Sequence, residues 1–144
     1  MGANTRVVVC NLEGSRIDAN TVEVARQLAL VAHARLALVA VAPIHVPGDG
    51  REPRLWTAEE ARAALELTAE TINGAVDVDC YLELGNPVRR LTELAKDVGA
   101  LLLVVGVRSD AAGRPPSITA RGVARSAPCP VVIVPETAAV PALA

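Results

Sequence analysis

Apolar residues arrive along this chain in short blocks, separated by stretches in which they recur every three or four positions. Residues 5–11 (Thr-Arg-Val-Val-Val-Cys-Asn) and 36–42 (Leu-Ala-Leu-Val-Ala-Val-Ala) are strand-length blocks, and residues 100–105 and 129–134 read the same way. Their continuity predicts strands buried on both faces, as in a parallel sheet with helices on each side. Residues 76–84 differ. Val76, Val78, Cys80, Leu82 and Leu84 alternate with Asp77, Asp79, Tyr81 and Glu83, which predicts a half-exposed strand at a sheet edge.

The helical stretches lie between these blocks. The first is expected over residues 18–34, with Asp18 as N-cap, a stripe of Val22, Ala25, Leu28, Ala29 and Ala32, and His33 and Arg35 closing it. Thr57 and Glu60 have capping-box spacing, so a second helix is expected over residues 58–73, ended by Asn73-Gly74. Asn86-Pro87 opens a third, which buries Val88, Leu91, Ala95 and Val98 and stops at Gly99. Ser117 caps a last helix running to Ser126. Residues 43–56, with Pro43, Pro47, Gly48, Gly50 and Pro53, read as a loop and a candidate lid. Strand and helix alternate throughout, which implies an α/β fold, a single-domain doubly wound five-stranded parallel sheet with right-handed crossovers. The domain spans residues 1–135, and 136–144 read as a loose tail.

Composition narrows the chemistry. The chain has 144 residues, 51% hydrophobic and 21% charged, enough to bury a core without disulfides or metal. A net charge of −2 gives no reason to expect nucleic acid or an anionic membrane as partner. Trp56 and Tyr81 are the only aromatic residues, so a flavin or base-stacking platform has nothing to rest on. Cys10, Cys80 and Cys129 show no C-x-x-C spacing and each lies in a strand-like run. They read as buried free thiols in a reducing compartment. His33 and His45 are not spaced as metal ligands. No apolar run has bilayer-spanning length and no signal-peptide pattern opens the chain, so a cytoplasmic protein is expected.

Several motifs together resemble the universal stress protein family. Cys10-Asn11-Leu12-Glu13-Gly14-Ser15 is similar to that family's first strand and V-D-G-S turn. Gly85-Asn86-Pro87 and its helix are similar to the G-x-P helix. Gly99-Ala100-Leu101-Leu102-Leu103-Val104-Val105-Gly106 resembles the G-A-D-hydrophobic-V-G strand, with Leu101 where Asp is usual, and Ala127-Pro128-Cys129-Pro130-Val131 matches A-P-C-P-V. The resemblance covers nearly the whole chain. It implies an adenine-nucleotide-α-hydrolase-like, Rossmann-like sheet, with the ligand at the carboxyl ends of strands one and four.

It also exposes a departure. Family members that bind ATP carry G-x2-G-x9-G-(S/T) after the fourth strand, where glycines let backbone N–H groups approach phosphates. Here Gly106 is followed by Ser109 in the second position, and Ser117-Ile118 stand at Gly-(Ser/Thr). The loop is two residues shorter than the pattern, and Pro115 and Pro116 donate no N–H. Arg108 and Arg114 remain as charges for a phosphate, and Ser109 and Ser117 as hydroxyls. The resemblance also puts Glu13 at the adenine- or ribose-facing acid and a main-chain contact to adenine at Val41. The candidate nucleotide-binding set is therefore Glu13, Val41, Gly106, Arg108, Ser109, Arg114, Ser117 and Ile118.

No catalytic constellation emerges, and no metal site. A response-regulator receiver would need an acidic cluster after strand one and a late lysine, but Lys96, the only lysine, lies on a helix. A flavodoxin would need a Ser/Thr-rich phosphate loop after strand one. Two readings stand. The leading one is a domain acting in stress response by homodimerisation and binding of an unidentified protein partner, with nucleotide binding weakened or absent. The alternative is a genuine ATP- or AMP-binding protein, with at most slow ATP hydrolysis or autophosphorylation. A third, a redox sensor at Cys129 or Cys10, rests on the thiols alone. The resemblance puts Val131, Val132, Ile133 and Val134 at a sheet edge, as the antiparallel homodimer contact.

Overall fold

The computed structural model describes residues 6–13, 19–44, 56–72, 74–107, 118–135 and 142. Nine elements follow one another: β1 (Val7–Leu12), α1 (Ala19–Val31), β2 (Arg35–Ala42), α2 (Ala58–Thr71), β3 (Val78–Leu84), α3 (Pro87–Asp97), β4 (Leu102–Val107), α4 (Ile118–Ser126) and β5 (Val131–Pro135). The strands form one parallel sheet in the order β3-β2-β1-β4-β5. The expected fold class is therefore the observed one, and β3 lies at an edge as its alternation implied.

The two faces of the sheet carry separate cores. Val8, Cys10, Leu36, Leu38, Ala40 and Val104 pack under α1 and α2. Val9, Ala37, Val39, Leu103 and Val105 pack under α3 and α4. Adjacent residues thus serve opposite faces, as strand periodicity requires, and the unbroken apolar runs follow from both faces being covered.

Local chemistry sets the helix ends. Glu60 N–H donates to Thr57 Oγ1 at 3.1 Å, and Thr57 N–H donates to Glu60 Oε1 at 3.3 Å, closing the capping box. Asn86 Oδ1 accepts from Arg89 N–H at 3.1 Å, with Pro87 in the first turn. Gly99 adopts φ +63° after α3; its N–H donates to Lys96 O, and that of Ala100 to Ala95 O. This is a Schellman closure. The same closure ends α1, but there the left-handed residue is His33, at φ 53°.

Several boundaries differ from expectation. The first strand lies at 7–12 and the last at 131–135, because Pro128 and Pro130 interrupt the segment before β5. The fourth strand continues through Gly106 to Val107, since Gly106 pairs with Val134 and Val107 with Pro135. The expected caps Asp18 and Ser117, nearly all of the 43–56 loop, and the tail apart from Ala142 lie outside the described residues.

Candidate functional site

The sheet opens where its strand order reverses. The β1–β4 ladder ends at Cys10 with Val104. Each strand stays paired on its other side, β1 with β2 up to Leu12–Ala40 and β4 with β5 up to Val107–Pro135. A crevice therefore forms at the carboxyl end of the sheet. Asn11, Leu12 and Glu13 stand on one lip and Val105, Gly106 and Val107 on the other. In open α/β sheets this is where ligands dock.

Three of the candidate residues come together at this end. Glu13 is half-buried just past β1, and Gly106 is half-buried within β4. Val41, 7% exposed, sends its side chain into the core beneath α3 and α4. Ile118 opens α4, which follows β4. Arg108, Ser109, Arg114 and Ser117 lie outside the described residues. Gly106 is a ladder residue of β4 and not the first loop residue, which moves the end of the strand two positions further along.

Sequence reasoning missed Trp56 at this site. Its indole is 5% exposed, and Nε1–H donates to the Val41 carbonyl at 3.0 Å. Trp56 directly precedes the Thr57 cap, and Ala61 sits four positions into α2; both are buried in the core under α1 and α2. That spacing is the hydrophobic staple, in which an apolar residue before the cap packs against the first turn. The signal that would have found it is the lone tryptophan immediately before a capping box.

Among the described residues no group of histidine, cysteine and carboxylates is placed to hold a metal ion. Asp77 and Asp79, just before and on the half-exposed edge strand, are held by Arg35. Its Nε and Nη2 reach the two Asp79 carboxylate oxygens at 2.9 Å each, and Nη1 reaches Asp77 at 3.2 Å. The guanidinium holds the Asp79 carboxyl below its ordinary range. This clamp sits at the start of β2, at the opposite end of the sheet from the crevice.

The cysteines require a correction. Cys10 is fully buried, but Cys129 is half-buried and Cys80 is exposed. Cys80 lies on the edge strand, which has a neighbour on one side only, and Cys129 lies in the Pro-flanked turn before β5. Partial burial pushes both of these thiols up, and Asp79 and Glu66 raise Cys80 further. A raised thiol carries less thiolate at neutral pH, which weighs against redox sensing at Cys129.

The outer edge of β5 is the second candidate surface. Among the described residues β5 pairs with β4 alone. Val134 is buried, Val131 and Val132 are half-buried, and Ile133 is 45% exposed. No helix among the described residues is long and apolar enough to cross a membrane.

Comparison with known proteins places this geometry. The model of the universal stress protein family matches residues 4–135. Among solved structures, a universal stress protein in complex with cAMP is 29% identical, with a TM-score of 0.67, over 90% of this chain and 96% of the other. A family protein from Burkholderia pseudomallei is 26% identical, with a TM-score of 0.66, over 94% of this chain and 99% of the other. An Arabidopsis thaliana universal stress family protein with AMP bound shares the fold at 18% identity and a TM-score of 0.63, over 92% of this chain and 93% of the other. No curated protein matches the sequence.

Proposed function

The chain belongs to the universal stress protein family, and from that membership we propose a cytoplasmic stress-response domain that acts as a homodimer through protein contacts, its adenine-nucleotide site weakened. The observation that carries this reading is the make-up of the crevice lips. The opening at the β1–β4 switch point is retained. Glu13, half-buried at its β1 lip, brings a carboxylate there, which opposes a polyphosphate. The sequence beyond β4 supports the same conclusion, because Ser109, Pro115, Pro116 and Ser117 stand where an N–H cradle would need glycine.

The second reading is a genuine binder of AMP or ATP. It is favoured by the cAMP complex of the 29% identical relative, whose ligand carries a single phosphate. Titration calorimetry with Mg-ATP, ADP, AMP and cAMP separates the two. The weakened site predicts dissociation constants above about 10 μM for every nucleotide, less than roughly 7 kcal/mol of binding free energy. Any of the four binding tighter than that overturns it.

A further inference from the structure

We propose that Trp56 is a specificity-determining residue of the crevice: its indole N–H takes the main-chain carbonyl at Val41, where the family resemblance puts the adenine contact, so adenine nucleotides bind in competition with it. The proposal rests on the reading of the crevice as a weakened adenine-nucleotide site.

The geometry shows where that carbonyl points. Arg35 N–H donates to Arg6 O on the β1 side, while Leu36 N–H donates to Asp77 O on the β3 side. Peptide groups alternate along a strand, so odd-numbered residues of β2 face β1 and even-numbered ones face β3. Gly85 N–H accordingly donates to Ala42 O. The Val41 carbonyl therefore points toward β1. The last β1–β2 pair is Leu12 with Ala40, so this carbonyl is the next acceptor past the ladder, at the carboxyl end of the sheet. A side chain, the Trp56 indole, has taken it.

The replacement has chemical consequences. The indole is a donor only, so it satisfies the carbonyl as an exocyclic amine would. The bond is buried, so a ligand must return a donor to the same oxygen or leave it unpaired. Trp56 is also anchored by the capping box that begins at its neighbour Thr57 and by the core under α1 and α2, so displacement opposes packing as well as hydrogen bonding. A ligand lacking a donor gains nothing from this acceptor even when it is freed.

The test uses Trp56→Phe, which keeps an apolar ring in the core and removes the donor. Calorimetry compares AMP with purine riboside 5′-monophosphate, which lacks the 6-amino group. The variant is expected to bind AMP about tenfold tighter than the native chain, the equivalent of one hydrogen bond, with no gain for the deaminated nucleotide. Unchanged AMP affinity, or an equal gain for both nucleotides, overturns the proposal. Trp56 is the only tryptophan, so its emission in the native chain gives an independent readout that needs no variant. A red shift as AMP is titrated to millimolar concentration supports displacement, and unaltered emission overturns it. These outcomes are distinct from failure of the weakened-site reading, which falls if any of these nucleotides binds the native chain more tightly than about 10 μM.

Discussion

His33 and Gly99 hold the same backbone position at the ends of two helices, and they do so at different cost. Both have φ near +60° and both close a Schellman motif. Glycine meets no Cβ penalty there, whereas histidine, though tolerated, does. Gly99→Ala is therefore expected to lower stability by about 1–2 kcal/mol, read by urea denaturation. An added Cβ at Gly99 meets nothing within 4 Å, so the loss is conformational and not steric. Asp79 supplies a second prediction at this scale. Its carboxyl is held below the ordinary range by Arg35, so the clamp stabilises the fold above about pH 4, the unfolded value. That stability is lost as pH falls through the folded value. Asp79→Asn should reduce stability at neutral pH and flatten the acid limb of the denaturation midpoint. An unchanged acid limb would show that the pair contributes nothing measurable, the usual fate of exposed pairs.

At the scale of elements, α3 and α4 approach closely through one glycine. A Cβ built on Gly122 would lie 2.6 Å from Val88 Cγ2, closer than real atoms pack. Replacing glycine within a helix recovers about 1 kcal/mol of propensity. Overpacking costs about 1–3 kcal/mol, and the obstructing methyl belongs to a β-branched side chain with stiff χ1. The clash should win, so Gly122→Ala is expected to be net destabilising by about 1 kcal/mol in thermal or chemical unfolding. Pairing it with Val88→Ala should remove much of the steric part, which a double-mutant cycle measures. The elements also show what was legible in the sequence. The Thr57–Glu60 box, Asn86-Pro87 and Gly99 were readable because cap chemistry is local. Gly106 was misread as a strand end because its pairing with Val134 depends on a partner nearly thirty positions away. The Arg35 clamp was hidden for the same reason, since it requires the β2–β3 register that sets Leu36 beside Val78. Trp56 was visible as an oddity, but the carbonyl it meets belongs to tertiary structure.

At the scale of the whole molecule, the sheet has two edges and guards only one of them. β3 carries Asp79 and Glu83, with Asp77 just before it, and charge along an edge discourages pairing with another chain. β5 carries Val-Val-Ile-Val without a charge, and Ile133 is the exposed side chain of that run. Pro130 and Pro135 bracket this run, and neither donates an N–H, which limits a ladder to the residues between them. Two copies joined there about a two-fold axis would pair antiparallel, each using the same patch. The native chain is therefore expected to scatter light as a dimer at micromolar concentration. Ile133→Lys places a charge on that edge, where its own fold loses little because the residue is already 45% exposed. The variant should be a folded monomer, with native-like circular dichroism and half the scattering mass. A native chain that is already monomeric, or a variant that stays dimeric, would place the contact elsewhere or deny it. The edge and the crevice are separate tests of the proposed function: weak nucleotide binding leaves the dimer intact, because β5 borders β4 on the side away from the opening between β1 and β4.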